Sequence, residues 1–280
     1  MIQMTQLSDR NGDPQDADGS PEGTPRVETP IDVSWAHLIP PEQWSVYERV
    51  IKRASERGLK FALGGGLAFS HYANRWRNTK DLDLYIRPED RDAMIAVLHE
   101  TGLRDYYEVQ GYDRQWIYRS HNGEGIIVDI IWQMANYRAQ VDEGWLKRGE
   151  LVQINGWALR LLPAEELLWS KLYVMQRERC DWGDLLNILY SRGPRIDWNH
   201  LLARVGEDKR VLAALIEIFT WACPDRAREL PVWLWGELGI ESPNFGALAP
   251  EVDNRHIRLL DSRDWFGPTH PADDSTAVRR

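Results

Sequence analysis

Cysteine is what this sequence has least of: two residues in 280, Cys180 and Cys223. Two isolated thiols build no disulfide framework. Neither lies in a CxxC or Cys/His cluster of the kind that holds structural zinc. This usage predicts a reducing cytoplasm. Long apolar runs are also missing. The longest, Val211 to Cys223, is broken by Glu217 and Thr220 and is too short for a bilayer. The first residues lack the basic, apolar, small-residue order of a signal peptide, so the expectation is a soluble chain with no membrane partner. There is no surplus of basic charge either: 34 Lys and Arg stand against 43 Asp and Glu, a formal net charge of −9. That argues against non-specific nucleic-acid binding, which needs a basic face. It leaves room for one local patch, Arg75, Arg77 and Lys80. No internal repeat is visible.

What is present describes an ordinary globular chain, 43% hydrophobic and 28% charged, long enough to bury a real core. The 14 tryptophans are scattered from Trp35 to Trp265 and read as core or half-buried anchors. Residues 1–30, rich in Asp, Gly, Pro, Gln and Ser, read as a disordered tail. Trp44, Tyr47, Val50, Ile51 and Ala54 recur at helical spacing between Pro41 and Glu56, with Gly58 as a stop. Leu59–Leu63 and Leu82–Ile86 read as strands around a helix at Leu67–Ala73. Pro88 opens a helix to about Glu100, ended by Gly102. Strands are expected at Tyr106–Val109, Gln115–Arg119 and Ile126–Trp132, then at Leu151–Ile154 and Ala158–Leu161, this last pair joined through Asn155-Gly156. After Pro163 helices are expected at Ala164–Gln176, Trp182–Tyr190, Trp198–Val205 and Lys209–Cys223, with a short one near Trp233. The expected fold class is α+β (α/β): a mixed sheet with flanking helices in residues 31–162, a helical part in 163–239, and a loose tail in 240–280.

The chemistry concentrates at Asp81-Leu82-Asp83. Alternation along a strand puts both carboxylates on one face and Leu82 and Leu84 on the other, with the carboxylates about 7 Å apart. Such a pair repels itself unless a cation intervenes, and Mg²⁺ is suited to one or two carboxylates plus phosphate oxygens. Asp129 interrupts the apolar run Ile126–Trp132, where a carboxylate is costly unless it is paired or binds metal. The alternative there is an Asp on the open face of a half-exposed strand. Gly64-Gly65-Gly66 stands between a strand and a helix, where glycine lets a phosphate approach the backbone and the helix N-terminus offers free N–H groups. It is neither a Walker loop nor a GxGxxG fingerprint. Together these parts describe a triphosphate clamp with a two-metal centre.

Leu63-Gly64-Gly65-Gly66-Leu67-Ala68, then His71, then Arg77-Asn78-Thr79-Lys80-Asp81-Leu82-Asp83-Leu84, resembles the signature of the polymerase-β-type nucleotidyltransferase superfamily. It is most similar to small prokaryotic members: antibiotic nucleotidyltransferases and the nucleotidyltransferase toxins of type IV toxin–antitoxin systems. The likeness continues through Leu161–Leu168 and Lys171 to Arg179, Asp181 and Asp184-Leu185-Leu186, and covers roughly residues 59–190. It implies an NTP substrate and two Mg²⁺ or Mn²⁺ ions on Asp81, Asp83 and Asp129. Gly64, Gly65, Gly66, Arg77, Thr79, Lys80 and Lys171 would lie along the nucleotide. For Lys171 the alternative is a solvated helix lysine; for Asp181 and Asp184 it is capping and structural pairing. Many members have Gly-Ser at the phosphate loop, and here the serine position is glycine, which removes one donor. The acceptor stays open between a small molecule, a tRNA 3′ end and a protein hydroxyl, and an antitoxin partner is a further expectation. Two rival readings are a nucleotide- or partner-binding module of the same fold and a nucleotide-sugar glycosyltransferase. The ordered chain before Asp81 is too short for the latter.

Overall fold

The computed structural model describes residues 28–243, 255–260 and 265–267. It opens with a short strand, β1 (Ile31–Asp32), and helix α1 (Pro41–Glu56). Pro41 suits the first helical turn, where no intrahelical donor is needed. Val46, Tyr47, Val50, Ile51 and Ala54 recur on its buried face. Next come β2 (Ala62–Leu63), α2 (Gly65–Tyr72), β3 (Asp81–Tyr85) and α3 (Arg91–Glu100). Three further strands are β4 (Arg104–Asp105), β5 (Ile117–His121) and β6 (Ile127–Ile131). Helix α4 (Glu143–Lys147) leads to the hairpin β7 (Leu151–Ile154) and β8 (Trp157–Arg160). Asn155 and Gly156 turn that hairpin with φ of 45° and 91°, the left-handed conformation that Asn-Gly supplies at least cost. Helices follow: α5 (Ala164–Leu172), α6 (Trp182–Arg192), α7 (Trp198–Val205), α8 (Lys209–Ala222), α9 (Pro224–Ala227), α10 (Trp233–Leu238) and α11 (Arg255–Leu260).

The strands form two sheets, one of order β2-β3-β6-β5-β4 and one of order β1-β7-β8. β3 runs parallel to β6, and β5 runs antiparallel to β6. A parallel bridge between Leu63 and Leu161 joins the two sheets, and Leu162 N–H donates to Leu63 O at 2.7 Å. Leu82, Leu84, Val128 and Ile130 are fully buried in the five-stranded sheet. Helices α5 and α6 pack on α2, which brings the helical half of the chain against the loop before β3. The fold is the mixed α/β arrangement expected from the sequence.

Several elements differ from expectation. Tyr106–Val109 is not a strand: Asp105 closes a 3-10 turn over Tyr106–Glu108 by accepting from Tyr107 N–H at 2.9 Å. The strand lies just before it, as β4. The helix expected over 164–176 ends at Leu172, whose carbonyl accepts from Trp182 Nε1 at 3.0 Å. The chain then doubles back through a Met175–Cys180 bridge, which returns Arg179 and Asp181 to Lys171. β1, α4 and α9, too short for a periodicity to show, were not expected, and neither was α11, which lies in the stretch expected as a loose tail. The tails expected at 1–30 and 240–280 fall largely outside the described residues. No helix among the described residues is long and apolar enough to cross a membrane.

Leu84 should report on the sheet core. Leu84→Ala is expected to cost about 2–5 kcal/mol in denaturant unfolding, whereas Ile31→Ala on the 46%-exposed strand β1 should stay within about 0.5 kcal/mol. Equal effects would mean that β3 is not the centre of the packing.

Candidate active site

Strand register assembles the site. Asp83 of β3 lies beside Asp129 of β6, and Asp129 lies beside Arg119 of β5. Neighbours in register share a face of the sheet, so one lateral row runs Asp83–Asp129–Arg119, with Asp81 two residues earlier on the same face of β3. One oxygen from each of Asp81, Asp83 and Asp129 falls within 4.8 Å of the others. Asp129 is buried, while Asp81 and Asp83 are half-exposed.

Such crowding shifts protonation. Burial, then the charges of Asp81 and Asp129, push Asp83 well above the usual carboxylate range. Burial raises Asp129 to about 6, against the pull of Arg119. Arg119 meets both oxygens of Asp129: Nε lies 3.0 and 3.1 Å from them, and Nη2 lies 2.5 Å from Oδ2. The same Nη2 stands 3.8 Å from Asp81 Oδ2. Tyr47 of α1 is buried near these charges, its hydroxyl without a hydrogen-bond partner. Burial, then the three carboxylates, raise its phenol well above the ordinary value, so it stays a neutral donor.

Around the row, the structure sorts the other residues singled out from sequence. Gly65 is the half-exposed member of the glycine run, while Gly64 and Gly66 are buried. Gly65 has φ of +49°, and a Cβ there would collide with the Asp83 carboxylate. At Gly64 it would meet the Tyr85 ring, and at Gly66 it would meet Thr79. The run is thus fixed first by close packing of the loop against its own active-site residues. That amends the expectation of phosphate space alone. The hydroxyl of Thr79 donates to Asp81, to its carbonyl at 3.1 Å and to its carboxylate, so Thr79 buttresses a carboxylate. Lys80 is exposed immediately before β3.

Lys171 is buried and bonded to Asp181 at 2.6 Å and Asp184 at 2.8 Å. Arg77 forks onto Asp184 at 2.7 and 3.1 Å, and Arg179 onto Asp181 at 2.8 Å. Asp181 is the counterion that results, drawn down to about 2 by Arg179 and Lys171 despite its burial. This network adjoins the row, because the charge of Lys171 acts on Asp83. Asp181 and Asp184 are thus both paired with cations of this network. Arg119, Arg179 and Tyr47 were not foreseen as part of the site. Arg119 was legible only as a residue of an expected strand, since one sequence does not show which strands pair.

The chain belongs to a nucleotidyltransferase family: the profile described as an uncharacterised nucleotidyltransferase matches residues 45–219, more than half of its length. No curated protein matches the sequence. Among solved structures, the antibiotic-resistance factor ANT(2″)-Ia in complex with adenylyl-2″-tobramycin is 19% identical, with 63% of this chain and 98% of that one covered and a TM-score of 0.40. The lincosamide antibiotic adenylyltransferase LnuA, lincomycin-bound, is 13% identical over 54% and 96%, with a TM-score of 0.39. A putative nucleotidyltransferase from Helicobacter pylori is 13% identical over 71% and 94%, with a TM-score of 0.37. Likenesses this distant do not bear on the acceptor.

The raised Asp129 sets a pH dependence. The folded chain keeps that proton up to about pH 6, whereas an unperturbed Asp loses it at 3.8. In that window the native state binds more protons than the unfolded state, so stability falls as pH rises from about 4 to about 6. Asp83 acts in the same direction. In chelator, Asp129→Asn should remove part of that fall and be neutral or stabilising at pH 7, read by urea unfolding across pH 4–7. An Asp129→Asn variant clearly destabilised at pH 7 would mean that Arg119 compensates the ionised carboxylate in full.

Proposed function

We propose that this chain moves a nucleoside monophosphate from an NTP to an acceptor hydroxyl and releases pyrophosphate. The observation that carries the reading is the convergence of Asp81, Asp83 and Asp129 within 4.8 Å, beside the half-exposed Gly65 that opens α2. Membership of a nucleotidyltransferase family supports the reaction class. The donor set fits divalent metal: three hard carboxylate oxygens crowded together, with Asp129 buried and a neutral buried phenol nearby. Asp81 and Asp83 would hold two Mg²⁺ or Mn²⁺ ions, with Asp129 completing the acceptor-side position. Bound there, the ions would supply positive charge against the phosphate oxygens and the acceptor oxygen.

The chain's own residues do the rest. The N–H groups at the start of α2, reached through Gly65, face the phosphate tail with the positive end of the helix dipole. Arg77 and Lys171, joined through Asp184, carry positive charge on that flank, and Lys80 adds an exposed ammonium. Thr79 fixes the rotamer of Asp81. The acceptor oxygen attacks the α-phosphorus, the bond from that phosphorus to the β-bridging oxygen breaks, and the acceptor proton passes to Asp129. A small-molecule acceptor suits the net charge of −9 better than RNA, which calls for an extended basic surface.

Binding should depend on metal. At about a hundredfold excess over its Kd, an NTP with Mg²⁺ should stabilise the fold by roughly 2.7 kcal/mol, and EDTA should abolish the shift. Absence of a metal-dependent melting shift with all four NTPs would overturn the proposal. Asp83→Asn should weaken NTP binding and turnover together. Asp129→Asn should keep binding and lower turnover roughly a thousandfold, about 4 kcal/mol of transition-state stabilisation. Full activity in a folded Asp129→Asn protein would remove that residue from the mechanism.

A further inference from the structure

Arg119 stands where a cation is needed. Its guanidinium fork engages both oxygens of Asp129 and reaches toward Asp81, at 3.8 Å. A carboxylate whose two oxygens are both held by a guanidinium has about half of its roughly four lone-pair sites taken, and a metal ion reaching the rest must compete with a cation already in place. Charge points the same way. The three carboxylates carry three negative charges when ionised, and Arg119 with a single divalent ion neutralises them. A second ion added with Arg119 in place would leave the row strongly positive, in a partly desolvated site where excess charge is costly. A triphosphate changes that balance by bringing about four negative charges at neutral pH.

Arg119 also has somewhere to go. Its side chain is 34% exposed, whereas that of Asp129 is 1% exposed, so the ion pair opens toward solvent from the arginine side. The Tyr106 ring lies beside the guanidinium, 5.9 Å from centroid to Cζ, at the margin of cation–π range. The backbone is pinned meanwhile: Arg119 O accepts from Tyr112 OH at 3.3 Å, and β5 pairs with β6 on both sides of the residue. Only side-chain rotation is required.

We propose that Arg119 is a built-in counter-cation that occupies the acceptor-side metal position in the ligand-free protein, and that it leaves Asp129 when the triphosphate arrives with the second ion. Loading is therefore ordered: one divalent ion binds without nucleotide, and the second binds only with it. Asp129 is freed for the acceptor only after the donor nucleotide is in place. Arg119 is in this sense a positioning residue that couples donor binding to readiness for the acceptor. The proposal rests on the metal-dependent reading above.

Mn²⁺ binding followed by electron paramagnetic resonance tests this without turnover. Wild-type protein should bind one ion tightly without nucleotide and two with a non-hydrolysable triphosphate. Arg119→Gln should bind a second ion without nucleotide, at least roughly tenfold tighter than wild type, because one positive charge has left the site. It should also melt lower in chelator and regain stability with Mn²⁺ alone. Two ions on nucleotide-free wild-type protein, or equal Mn²⁺ affinities in the two proteins, would overturn the proposal while leaving the metal-dependent reading intact. No Mn²⁺ bound by either protein with triphosphate present would overturn both. If Arg119→Gln fails to fold even with Mn²⁺, Arg119→Lys decides. Its ammonium cannot grip both oxygens as the fork does, so second-ion affinity should be intermediate, and an unchanged affinity would overturn the proposal.

Discussion

Three carboxylates held within 4.8 Å of one another in a half-buried sheet row are the constraint to which the rest of the site answers. Side by side they repel one another, and burial together with that repulsion makes Asp83 and Asp129 resist ionisation. Arg119 offsets them from β5 and Lys171 from α5. Thr79 fixes Asp81 by a hydrogen bond, and Gly65 fits beneath Asp83 because it lacks a Cβ. A protein selected for stability alone would not gather acids in this way. The arrangement makes sense as a place that receives cations with a phosphate ligand.

The helical half of the chain contributes by a second charge network. Lys171 is buried, and burying an ammonium is costly without partners. Asp181 and Asp184 supply them, and Arg77 and Arg179 balance the two carboxylates from outside. The loop that carries Arg77 is thereby tied to the N-terminal end of α6, so the phosphate-facing side of the site spans both the sheet and the helices. The buried core runs continuously across the two parts.

Much of this was legible in the sequence. Asp81 and Asp83 alternate with Leu82 and Leu84, and Asp129 breaks an otherwise apolar run, so their faces follow from the period of a strand. The Asn155-Gly156 hairpin and the limits of α1 follow from turn and helix-stop chemistry. Other features depend on pairing, which one sequence does not encode locally. That β5 neighbours β6, and so places Arg119 against Asp129, is a tertiary fact. The same holds for β1, two residues long, which exists because β7 is beside it. Tyr106–Glu108 has the aromatic content of a strand, and the Asp105 side chain overrode that propensity by offering its backbone a nearer acceptor.

The central claim is that the row of aspartates transfers the α-phosphoryl group of an NTP. Incubating the protein with Mg²⁺, cell extract and each NTP in turn, labelled at either the α- or the γ-phosphate, tests it most directly. The account predicts that α-label from at least one NTP appears on an acceptor of small-molecule size, that γ-label appears only in pyrophosphate, and that Asp129→Asn protein yields neither. Transfer of γ-label to an acceptor, or no transfer from any of the four NTPs, would contradict it.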